Sequence, residues 1–99
     1  MITSLAQFVN IEKSSIEGMK VEVEYLRDTL EVLRATDEIS NDAFLEAGSI
    51  QGGLSLIINL LSQGITGEEA DSQMNSLRGR AESLNQSYPG LDDKIESKR

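Results

Sequence analysis

The side chains able to do chemistry in this 99-residue chain are serines and carboxylates, because histidine and cysteine are absent. Their absence excludes thiolate nucleophiles, disulfides, the usual zinc sites and every His-dependent catalytic triad. A serine nucleophile would need a lysine as its base. Lys13, Lys20, Lys94 and Lys98 sit in polar or terminal stretches, and no S-x-x-K motif occurs. Paired carboxylates divide acid and base roles when burial separates their pKa values. The candidate pairs are Glu22 with Glu24, Glu68 with Glu69, and Asp92 with Asp93. Each pair belongs to a helix or a tail and is expected to be solvated. The chain therefore reads as no enzyme, with no catalytic, cofactor-binding or metal-binding residues and no cofactor.

The remaining motifs are sparse. A calcium loop of the D-x-[DN]-x-[DN]-G type is missing, and Gly48 to Gly53 has neither the G-x-G-x-x-G order nor a following Lys-Ser or Lys-Thr. Asn85-Gln86-Ser87 matches the N-glycosylation pattern, but MITSLAQFVN lacks the basic and apolar regions of a secretory leader, so the match reads as accidental. Arg78 and Arg80 are too small a basic patch for nucleic acid. Tyr88 and Asp92 stand in a Y-x-x-x-D spacing that resembles the C-terminal export signal of small helical-hairpin secretion substrates. Those proteins also carry a Trp-x-Gly turn. This chain has no Trp, so Tyr88 reads instead as the residue that closes a helix before Pro89-Gly90.

The elements that would position these groups are legible in the apolar spacing. Ile2, Leu5, Val9, Ile16, Met19, Val23, Leu26, Leu30 and Leu33 alternate at the a and d positions of a heptad, with Glu12 as the interruption. That pattern predicts one long helix over about residues 4–35. Ser14-Ser15-Ile16-Glu17 has the form of a capping box and offers a break near residue 13, but the unbroken phase favours continuity. Asp37 to Asp42 is a turn. A second helix is expected over 41–63, with Phe44, Ala47, Leu54, Ile58 and Leu61 inward and Ala43, Ile50 and Ile57 beside them. The short apolar run Leu54 to Leu61 also admits a strand. Gly48, Ser49, Gly52 and Gly53 form either a close-packing face or a kink, since each glycine costs about 1 kcal/mol relative to Ala within a helix. Thr66-Gly67-Glu68-Glu69 opens a third helix over 67–88, seamed by Ala70, Met74, Leu77, Ala81, Leu84 and Tyr88. Residues 89–99 read as a charged, disordered tail.

The fold class expected is all-α: a three-helix bundle or helical hairpin in residues 1–88, with a long first helix and coiled-coil-like packing. Aromatics make up only 4% of the chain, so aliphatic side chains must build its core. Their supply exceeds what one small bundle hides. Ile11, Tyr25 and Val32 on the first helix, and Leu45, Leu56 and Leu60 on the second, stand off the main stripes as a candidate partner interface. The expected function is a cytoplasmic, non-catalytic interaction module, an adaptor, chaperone-like protein or assembly subunit that forms homo-oligomers or binds a helical partner. No apolar run approaches a membrane span, and a net charge of −8 disfavours direct nucleic-acid binding. The alternative is an acidic inhibitor that mimics nucleic acid. It rests on the stretch Glu38 to Glu69, which has no Lys or Arg but carries Glu38, Asp42, Glu46, Glu68 and Glu69.

Overall fold

Heptad-spaced aliphatics form the inside of three long helices in the computed structural model, which describes all of residues 1–99. The chain is all-helical. Helix α1 spans Ile2–Ala6, a 3-10 turn covers Lys13–Ser15, and α2 spans Ile16–Ala35. Helices α3 (Asn41–Ser62), α4 (Gly67–Ser87) and α5 (Leu91–Glu96) follow. The apolar run Leu54 to Leu61 is helical, with its inward residues joining the core.

Local chemistry sets the turns. Ser40 caps α3 by accepting from the Ala43 amide at 3.1 Å, and Thr66 caps α4 by accepting from Glu69 at 3.1 Å. Asp37 adopts φ 59° after α2, and Gly64 adopts φ 99° after α3, where the left-handed conformation lets the chain reverse. The long helices then pack in chain order. Helix α3 lies between α2 and α4, α1 packs on α4, α5 packs on α2, and α1 touches α5. The molecule measures 40 × 22 × 19 Å. Because α3 has neighbours on both flanks, it is the most apolar element: an 18-residue stretch within its 22 residues reaches a mean hydropathy of 1.3, long and apolar enough to cross a membrane by length and composition. In this fold its inner side is core, from Ala43 to Leu61.

Two expectations need correction. The first helix is not continuous over 4–35, because the chain turns between α1 and α2. Asn10 takes a left-handed φ of 53°, Val9 swings out to 68% exposure, and Ile11 turns inward in its place. The box that opens this region is formed by Glu12 with Ser15, and Ser14 donates to the Glu12 carboxylate at 2.7 Å. Residues 89–99 are likewise no disordered tail. Gly90, at φ 87°, reverses the chain, and α5 buries Leu91 and Ile95 against the bundle.

Candidate functional site

The second apolar stripe of α2 is covered from within the chain. Ile11 is buried, and its amide donates to Asp71 of α4 at 3.0 Å. Tyr25 lies half-buried under α5, its hydroxyl donating to the Ile95 carbonyl at 2.7 Å. Both were expected at a partner interface, and both are corrected: a short helix and a loop that had not been anticipated already occupy those positions. Val32 stays 49% exposed, and Val21, three turns earlier, is open as well.

Beneath α5 lies a buried carboxylate. Glu22, expected to be solvated, is 3% exposed. The guanidinium of Arg99 grips it through two bonds, Nη1 to Oε1 at 3.0 Å and Nη2 to Oε2 at 2.7 Å. Burial alone would raise the Glu22 pKa. Hydrogen bonds from Arg99, Ser4 and Gln7, together with the Arg99 charge, outweigh it and hold the carboxyl below its usual range. The same guanidinium bonds Glu96 and lies over the Tyr25 ring at 4.2 Å. Asp92 behaves similarly: burial pushes it up, but the hydroxyl and amide of Thr3 and the Met1 amine hold it down. Every deeply buried side-chain nitrogen and oxygen has a partner. With its carboxylates spent on holding α1, α2 and α5 together, the cluster is a structural clasp that offers no free base.

The outer side of α3 has no such cover. Leu45 is 58% exposed and Leu56 53%, and between them, in steps of 3, 4 and 4 residues, Gly48 and Gly52 complete one face of the helix. A Cβ placed on either glycine meets no heavy atom within 4 Å. The four small residues grouped by sequence thus separate. Gly53 packs closely inside the fold, where an added Cβ would stand 2.6 Å from Leu77 Cδ2. Ser49 accepts from Arg80 Nη2 at 2.7 Å, at the edge of a cleft of about 320 Å³ between α3 and α4. Gly52 is exposed and Gly48 half-buried, and at neither does a close contact account for the helix cost of glycine. Leu60 is half-buried. Asp42 and Glu46 are the only charged residues on α3, and both lie near its N-terminus.

Elsewhere the carboxylates do not converge. No three of them form a group able to hold a metal ion. Glu38 bonds Lys98 at 3.2 Å, while Glu68 and Glu69 sit in the first turn of α4. Arg78 donates to the Phe8 carbonyl and so ties the loop before α2 to α4. Sequence reasoning missed this tie and the Gly67 contact beside it, where an added Cβ would stand 2.5 Å from the Ile11 carbonyl oxygen. Comparison with protein-family models, with curated proteins and with solved structures gives no match for the chain.

Proposed function

We propose that this chain is a non-catalytic helical interaction module, a heptad-packed bundle whose α3 presents its outer face to another helix. One observation supports the reading: Leu45, Gly48, Gly52 and Leu56 form an uncharged, uncovered face, and its two glycines cost about 2 kcal/mol together relative to alanine. Inside the monomer nothing offsets that cost. A helix laid across the glycines does so, since its backbone approaches where no side chain intervenes and the flanking leucines lose their water. The chemistry needed is close packing, in keeping with a chain that lacks His and Cys and engages its buried carboxylates in ion pairs.

The test is Gly52→Leu. Since a side chain at 52 enters open space, the variant is expected to fold with unchanged helicity and a melting temperature at or above that of the parent. Its associations, followed by sedimentation for copies of itself and by affinity capture for other chains, are expected to fall at least tenfold. A parent protein that associates with nothing, or a variant that associates equally well, sinks the reading.

A further inference from the structure

Resting on that reading of the α3 face, we infer that its occupant is the same face of a second copy of this chain, laid antiparallel. The stripe reads nearly alike from both ends, Leu45, Gly48, Gly52, Leu56. A two-fold axis near residue 50 therefore brings the glycines of both copies to the crossing point and sets Leu45 of each beside Leu56 of the other. Such an isologous contact closes on itself and uses one patch twice.

Charge selects the direction. Asp42 stands at the N-terminal end of the face, with Glu46 turned toward the cleft with α4, while Asn59 and Gln63 continue the face, neutral, toward the C-terminus. A parallel pairing would bring the two Asp42 carboxylates together at one end. The antiparallel pairing puts each acidic end beside a neutral one and opposes the helix dipoles favourably. A cationic partner helix is the other chemistry that suits carboxylates. Here they occupy only one end, and from Gly48 to Asn59 the face runs neutral for about 16 Å at 1.5 Å per residue. One helix pair is a small interface, so the dimer is weak, with a dissociation constant on the order of 10–100 μM. Each copy carries a charge of −8, so the dimer tightens as salt screens the repulsion, whereas binding to a cationic helix weakens.

The chain has no cysteine, so a single introduced thiol reports without competition. Leu45→Cys and Leu56→Cys are oxidised separately and mixed. In the antiparallel dimer the two positions meet, and the mixture is expected to give a disulfide-linked heterodimer. Each variant alone stays unlinked, because identical positions lie about 16 Å apart along the axis, against roughly 7 Å for a disulfide. Adding Gly52→Leu to both is expected to abolish the link. Sedimentation equilibrium of the parent is expected to show a dimer that strengthens between about 0.02 and 0.3 M salt. Self-linking of Leu45→Cys alone would show a parallel pair and overturn the inference. Strict monomer to about 1 mM also overturns it; if another chain is then captured in a Gly52→Leu-sensitive way, the interaction module stands and only the second copy falls. Monomer with no capture removes both.

Discussion

Replacing Arg99 with alanine should unlatch the clasp that closes the fold. The substitution removes both bonds to Glu22, at 3.0 and 2.7 Å, two to Glu96 at 2.9 and 3.0 Å, and the stack on Tyr25 at 4.2 Å. The Glu96 pair lies toward solvent and is worth about 0–1 kcal/mol, and the stack about 0.5–1 kcal/mol. The dominant cost is Glu22 itself, whose side chain is 4% exposed and would be left charged without its cation. Orphaning a buried ion costs about 3–5 kcal/mol. Arg99 is 38% exposed, so water enters from its side, and the Ser4 and Gln7 bonds remain. The expected total is about 3 kcal/mol, a large share of the 5–15 kcal/mol typical of a domain. At about 4–8 °C per kcal/mol for a chain of this size, the melting temperature falls by about 12–24 °C. Urea unfolding followed by circular dichroism measures the loss, and Lys98→Ala, which breaks an exposed pair with Glu38, serves as the control at under about 1 kcal/mol. Combining Arg99→Met with Glu22→Gln should recover most of the stability, because no charge is then stranded. If Arg99→Ala costs no more than Lys98→Ala, the clasp is not what holds α5.

Two further perturbations probe the same frame. The folded Glu22 carboxyl is held below its ordinary value of 4.5, so its contribution is complete above that pH and is lost as pH falls through the depressed native value. Asp92 adds to the same acid limb. Acid titration of stability should therefore be less steep in Glu22→Gln than in the parent, and equal slopes would show that the pair does not couple to folding. Gly67→Ala sets a Cβ against the Ile11 carbonyl, a backbone atom that cannot swing aside, and is expected to cost about 1–3 kcal/mol. Hydrogen exchange of the Ile11 amide, bonded to Asp71 at 3.0 Å, should quicken more than that of mid-α3 amides.

The long helices were legible because their packing repeats. Met19, Leu26, Leu30 and Leu33, and then Ala70, Met74, Leu77, Ala81 and Leu84, are buried where heptad spacing places them. The first break escaped the same logic because Val9 keeps the phase while the chain leaves the helix. Asn10, tolerant of positive φ, was the local sign of it. The last helix escaped because its 6 residues are too few for periodicity, although Leu91 and Ile95 one turn apart, after Pro-Gly and with Asp92 and Asp93 in the first turn, carry the signature of a helix start. No local pattern links Glu22 to Arg99, which lie 77 residues apart, so a clasp of this kind is visible only in three dimensions. The glycines of α3 were legible as a group but not individually. Which of them meets Leu77 and which meets solvent depends on where α4 lies.

The clasp also fixes an order of events. Contacts of α2 with α3, and of α3 with α4, join neighbours through short turns and close at little entropic cost. Helix α1 packs chiefly on α4 and α5, its Ser4 also bonding Glu22 of α2, and Ser4 meets Arg99 across 95 residues of sequence. During synthesis α1 therefore waits for α4 and α5 to emerge, and the carboxylate of Glu22 stays hydrated until Arg99 arrives. The segment around Arg99 completes the packing of the segment around Ser4, so the contact that closes the fold joins the two most distant stretches of this sequence and carries the largest loop-closure cost.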